Sequence, residues 1–174
     1  MNSNKNLVLI GMMGSGKSII GSLLSENLNL EFKDVDSIIE KEAGFKISEI
    51  FKKKGENYFR KLEEKITLQL LKSQNTIVSL GGGGFINKNI RNQVLENHLS
   101  FWLNWKNSTL INRIIKNKKR PIAFNSSVNE IKKMIMDRSK LYSMANFRVN
   151  CENLSKNKIV NKIKDIYEKN QINC

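Results

Sequence analysis

Lys5-Asn6-Leu7-Val8-Leu9-Ile10-Gly11-Met12-Met13-Gly14-Ser15-Gly16-Lys17-Ser18 is the stretch on which the fold turns. Lys5 to Ile10 is short, apolar and ended by glycine, which reads as a buried strand. From Gly16 or Lys17 onward, Ile19, Ile20, Leu23, Leu24 and Leu28 recur at helical spacing, which reads as a helix with one apolar face. Between the two, Gly11 to Ser18 has the form G-x-x-x-x-G-K-S in the strand–loop–helix setting that gives this pattern its meaning. Glycines let backbone N–H groups approach phosphate oxygens with no Cβ in the way. The helix N-terminus adds donors and the positive end of a dipole. The candidate nucleotide ligands are therefore Gly14, Ser15, Gly16, Lys17, Ser18 and Ile19. Lys17 is expected to reach the β- and γ-phosphates, and the Ser18 hydroxyl to ligate Mg²⁺. The pattern marks a nucleoside triphosphate site but not a reaction, because switches, motors and small kinases all use it.

Working outward, strand and helix signals alternate along the chain. Glu31 to Val35, Thr76 to Leu80, Leu99 to Leu103 and Phe147 to Cys151 read as further strands. Ser37 to Ala43, Ser48 to Lys54, Glu56 to Ser73, Asn87 to Asn97, Thr109 to Asn117, Val128 to Met144 and Ser155 to Lys169 read as helices. Gly44 and Gly55 close two of them, and Ser108 and Ser155 are candidate caps. Residues 117 to 127 have no periodicity and hold Pro121, the only proline, so they read as a loop. Strands alternating with helices throughout predict an α/β fold: a parallel sheet of five strands covered by helices on both faces, within one domain spanning 1–174.

The chain has 174 residues, 40% hydrophobic and 26% charged, which suits one well-filled core. No apolar run approaches the roughly 18 residues of a membrane span. The apolar run Leu7 to Ile10 is too short for a signal-peptide core, so a cytoplasmic protein is expected. Cys151 and Cys174 stand far apart in no metal-ligand spacing and read as reduced thiols. His98 is the only histidine, which excludes a zinc site built on imidazoles, and it leads into the strand at Leu99. The formal charge is +14, from 30 basic and 16 acidic residues. Lysine outnumbers arginine 24 to six along the whole chain, with no RNA-binding signature. A solvated basic surface that attracts anionic ligands is expected, with no nucleic-acid partner and no membrane.

The acceptor side is read from three further segments. Asp34 and Asp36 end the second strand, and residues two apart in an extended segment point to one side. Both carboxylates are then expected in the crevice beyond the strand ends, one holding Mg²⁺ through water and the other accepting from substrate hydroxyls. Asp36 also stands where a helix cap is needed. Arg60 is the first arginine in a chain that nearly always uses lysine, and only a guanidinium grips a carboxylate with two parallel bonds. That makes each of Arg60, Arg91, Arg113, Arg120, Arg138 and Arg148 a candidate, against a surface ion pair for each taken alone. Gly81-Gly82-Gly83-Gly84 ends the third strand and offers unhindered backbone donors to an anion.

Together these segments resemble the shikimate kinase family. The match rests on Gly11 to Ser18, Asp34-Val35-Asp36, Gly55-Glu56-Asn57-Tyr58-Phe59-Arg60-Lys61-Leu62-Glu63, Gly81 to Gly83, Arg120-Pro121 and Arg138 to Tyr142, in that order. The resemblance implies a three-layer α/β/α P-loop kinase fold with a substrate-binding region at about 34–63 and a mobile lid at about 117–127. It implies ATP- and Mg²⁺-dependent phosphorylation of the 3-hydroxyl of shikimate by a monomer. Asp36, Arg60, Gly82, Gly83 and Arg138 would then bind shikimate, with Glu63 orienting Arg60. Lys17, Asp34 and Arg120 would be catalytic, Asp34 near Mg²⁺ and Arg120 over the γ-phosphate. Arg113 would stack on adenine, and Ser79 would stand behind the Mg²⁺ ligands. Where the family more often has leucines after the lid proline, this chain has Ile122-Ala123. The rivals are another small P-loop kinase, of gluconate or a nucleoside monophosphate, a nucleotide-dependent binding protein, and an inactive relative.

Overall fold

The computed structural model describes residues 5–116 and 126–172. Five strands form one parallel sheet: β1 (Leu7–Ile10), β2 (Glu31–Asp34), β3 (Thr76–Ser79), β4 (Leu99–Asn104) and β5 (Phe147–Asn150), in the order β2-β3-β1-β4-β5. The helices are α1 (Lys17–Leu28), α2 (Val35–Ala43), α3 (Ile47–Leu71), α4 (Lys88–Asn97), α5 (Asn107–Lys116), α6 (Val128–Tyr142) and α7 (Lys156–Ile172).

Every residue of β1 and β3 is buried, as a sheet covered on both faces requires. Side chains alternate between the faces. Val8 and Ile10 join Val78 and Trp102 in a core closed by α2, α3, α4, α5 and α6. Leu7 and Leu9 join Ile77, Phe101 and Val149 in a second core closed by α1 and α7. Helices therefore cover both sides, the three-layer arrangement that the alternation predicts.

This topology locates the site. The chain leaves β1 through α1 on one face of the sheet, and leaves β3 through α4 on the other. Adjacent strands whose connections part to opposite faces open a crevice beyond their carboxyl ends. The loop after β1 and the glycines after β3 meet there: a Cβ on Gly82 would lie 3.1 Å from the Met13 nitrogen.

Several local expectations need correction. β2 ends at Asp34, and α2 begins at Val35. Asp34, not Asp36, is the cap: its Oδ1 accepts from the Ser37 N–H at 3.2 Å. The extended-strand spacing argument thus fails for Asp36, which sits in the first helical turn. Ile19 is half exposed rather than on the buried face of α1. Ser108 lies inside α5. Ser155 does accept from the Lys158 N–H, at 3.3 Å. The two helices expected on either side of Gly55 are both present, joined in α3 across a kink at Gly55, which is non-helical at φ 79°, ψ 171°. That conformation suits glycine and breaks α3 where the sequence predicts a stop. Arg120, Pro121 and nearly all of the expected lid fall outside the described residues.

Candidate functional site

The loop after β1 wraps around its own lysine. Lys17 Nζ donates to Gly11 O at 2.8 Å, Met12 O at 3.1 Å and Ser15 Oγ at 3.5 Å, and the side chain is buried. The ammonium therefore rests inside the loop that the sequence reads as a phosphate cradle. At the first turn of α1, the Ser18 hydroxyl donates to Asp34 Oδ2 at 2.5 Å. The α2 cap fixes the other oxygen of the same carboxylate, so Asp34 is oriented from both sides.

Beside this loop lies a cleft of about 730 Å³, a size ordinary for a cofactor or nucleotide. Gly14 to Ile19, Asp34, Asp36, Ser79 and Arg113 all line it, so the expected nucleotide set is brought together, apart from Arg120. Its far wall holds Lys116, Leu154, Ser155 and Lys156. Two residues brace the loop from outside: Trp105 Nε1 donates to Ser15 O at 2.9 Å, and Arg113 Nη1 donates to Gly14 O at 3.3 Å.

A second, narrow pocket of about 30 Å³ opens between α3, the start of α2 and the glycines after β3. Asp36, Arg60, Glu63, Gly82, Gly83 and Arg138 line it, which is the expected substrate set together with the residue expected to orient Arg60. Arg60 Nη1 donates to Glu63 Oε2 at 2.7 Å, while Nε and Nη2 donate to Glu56 Oε1 at 3.1 and 3.0 Å. From the opposite side, Arg138 Nη1 donates to Gly82 O at 3.1 Å. The buried Tyr142 hydroxyl donates to the same carbonyl at 2.5 Å.

The electrostatics are those of two cations held over a buried acid. Burial raises the Glu63 carboxyl above its ordinary value, Arg60 pulls it back and Asp36 adds to the rise. Burial works against the Arg60 charge, but Glu63 and Glu56 outweigh it and hold the guanidinium firmly protonated. Burial pushes the Tyr142 hydroxyl up to about 12, so it stays a donor at neutral pH. Two guanidiniums and two carboxylates around one narrow pocket suit recognition of a small acid bearing hydroxyls.

Of the six scrutinised arginines, two serve the structure. Arg91 Nη1 donates to Phe85 O and Ile86 O, and Arg148 packs on the Trp102 ring. Sequence reasoning missed Trp105 and Tyr142 as parts of the site. The Trp105 contact joins residues 90 apart in sequence, so no local pattern carries it.

A parallel sheet with a G-x-x-x-x-G-K-S loop at its central strand, facing a pocket lined by Arg60, Glu63 and Arg138 across the crevice, defines a P-loop phosphotransferase fold. A family model described as shikimate kinase matches residues 13–168. The shikimate kinase of Persephonella marina is 42% identical over 160 residues, covering 91% of this chain and 96% of that relative. The structure of shikimate kinase from Acinetobacter baumannii in complex with shikimate is similar at a TM-score of 0.90 and 25% identity, covering 98% of this chain and 96% of that one. The crystal structure of shikimate kinase from Aquifex aeolicus gives 0.85 and 36%, covering 95% and 97%. The chain belongs to the shikimate kinase family and is a kinase of the shikimate pathway.

Proposed function

We propose that this chain, as a single kinase domain acting as a cytoplasmic monomer, transfers the γ-phosphoryl group of ATP to the 3-hydroxyl of shikimate. The new bond joins the substrate oxygen to phosphorus, the bond to the β,γ-bridging oxygen breaks, and ADP leaves. The observation that carries this reading is the convergence of Arg60 and Arg138 on one small pocket beside Asp36, across the crevice from the loop around Lys17.

Phosphoryl transfer asks mainly for positioning and charge stabilisation. Lys17 leaves its three loop acceptors and moves onto the β- and γ-phosphates. Ser18 and Asp34 supply adjacent hard oxygen donors at the loop, the donor chemistry that Mg²⁺ takes, Ser18 directly and Asp34 through water. When bound, Mg²⁺ would neutralise charge on the phosphate oxygens. Asp34 orients the attacking hydroxyl and accepts its proton late. Arg60 and Arg138 hold the substrate carboxylate, Asp36 its vicinal hydroxyls, and Gly82 and Gly83 leave room for its ring. Arg113 takes the adenine face. Arg120, on the segment 117–127, closes over the γ-phosphate and excludes water. The acceptor pocket must widen to admit a six-membered ring, and Gly55 is the break in α3 about which its wall can turn.

A coupled assay tests the reading. ADP release should require shikimate and Mg²⁺ and should fail with gluconate or nucleoside monophosphates as acceptors. Arg60→Lys should raise the shikimate KM about tenfold or more, by loss of a bidentate grip, and leave ADP affinity intact. No shikimate-dependent ADP release from the wild-type protein would sink the proposal.

A further inference from the structure

We propose that Trp105 is a positioning residue of the nucleotide half-site: it sets the direction of the Gly16 N–H and holds the Arg113 guanidinium flat as a shelf for the base. This rests on the reading of the large cleft as the nucleotide site.

Trp105 follows β4 directly and is half-buried, packed against apolar residues on both sides of the sheet. That anchorage makes it a rigid post beside the loop, on the wall of the cleft. Its indole N–H holds Ser15 O at 2.9 Å. In a planar trans peptide, C=O and N–H point in opposite directions. Drawing Ser15 O toward the indole therefore turns the Gly16 N–H away from it, toward the inside of the loop. Gly16 sits at φ 90° and Gly14 at φ 78°. Of the two residues flanking this peptide, Gly16 adopts several orientations at low cost, so the indole bond adds to the loop's own contacts in fixing this direction.

The same ring carries Arg113, whose Cζ lies 3.8 Å from the ring centroid. Stacking on an aromatic face fixes the plane of a guanidinium. Arg113 Nη1 meanwhile holds Gly14 O. One face of Arg113 is covered by indole, and the other would be free to stack on a flat ring bound in the cleft. Trp105 thus acts on the phosphates through Ser15 and on the base through Arg113.

The two actions separate experimentally. Trp105→Phe keeps a ring under Arg113 but lacks the N–H, whereas Trp105→Leu lacks both. ADP and inorganic triphosphate, which has no base, are titrated against each variant, and KM for ATP and for shikimate are measured. Trp105→Phe should weaken ADP and triphosphate alike, by about three- to tenfold, the worth of one hydrogen bond. Trp105→Leu should weaken ADP by a further threefold or so while triphosphate falls no further than in Trp105→Phe, in keeping with a lost stacking support. The shikimate KM should stay within twofold. Wild-type affinities in both variants would overturn the proposal. So would equal losses of ADP and shikimate affinity with a lowered Tm, the mark of a merely structural tryptophan. Failure of the wild-type protein to bind either ADP or triphosphate would instead overturn the reading of the cleft itself.

Discussion

Gly81→Ala adds one methyl group against Glu63 and Asp36, the two carboxylates that line the acceptor pocket, and changes no charge. The backbone there is outside the left-handed region, so alanine meets no conformational penalty. The added carbon would stand 2.5 Å from Glu63 Oε1 and 2.8 Å from Asp36 Oδ1. Carbon–oxygen contacts relax at about 3.3 Å, so the two carboxylates must retreat by about 0.8 and 0.5 Å. Glu63 is only 2% exposed and carries Arg60 on its other oxygen, so its retreat drags the guanidinium with it. A misplacement on the order of 1 Å at a positioning group costs up to about a hundredfold. The shikimate kcat/KM should fall roughly 30- to 100-fold, about 2–2.7 kcal/mol of transition-state stabilisation. The assay pairs coupled steady-state kinetics with calorimetric titration of ADP, whose Kd should stay within twofold. Wild-type kcat/KM for shikimate, or a parallel loss of ADP affinity, would refute the assignment of these carboxylates to the acceptor pocket.

Other perturbations probe neighbouring parts of the argument. Tyr142→Phe deletes a buried donor to Gly82 O, so urea unfolding should show a loss of about 1 kcal/mol and the shikimate KM should rise; no change in either would contradict the role given to that bond. Burial, aided by Lys5, holds the His98 imidazole below its ordinary value, and neither ring nitrogen has a hydrogen-bond partner among the described residues. The unfolded chain then binds more protons as pH falls through about 6.5, so this contribution to stability is complete above that pH and is lost below it. His98→Leu should remove that acid-side loss, and parallel Tm–pH curves for the two proteins between pH 7.5 and 5.5 would refute it. Burial also pushes the buried Cys151 thiol up to about 12, so in a Cys174→Ala background a thiol reagent at pH 8 should find nothing until the protein is unfolded.

The architecture was legible because its signals are local. Four-residue apolar strands, glycine stops and helical periodicity need only neighbours in sequence, and even the break at Gly55 follows from one residue type. The phosphate loop was legible for the same reason. Asp34 and Asp36 show where local reasoning fails: the two-residue period holds only while the strand lasts, and α2 begins between them. Both still line the cleft, because a helix's first turn also faces the strand ends. The Arg60–Glu63 pair is helical spacing made visible, whereas Arg113 and Arg138 were reached through resemblance. Their backbone partners, the Gly14 and Gly82 carbonyls, lie far away in sequence. Trp105 carries no signal of its own, since an apolar residue after a strand is ordinary. It matters only because the order β3-β1-β4 sets the end of β4 next to the loop after β1.

The central claim is that two half-sites face each other across the β1–β3 crevice, one for phosphates and one for a small hydroxylated acid. A crystal structure with ADP, Mg²⁺ and shikimate tests it most directly. The expected result places the shikimate carboxylate between Arg60 and Arg138, its ring against Gly82 and Gly83, and its 3-hydroxyl facing Asp34 and the phosphate loop. Shikimate bound with its carboxylate away from both arginines, or with its 3-hydroxyl turned from the loop around Lys17, would contradict the account.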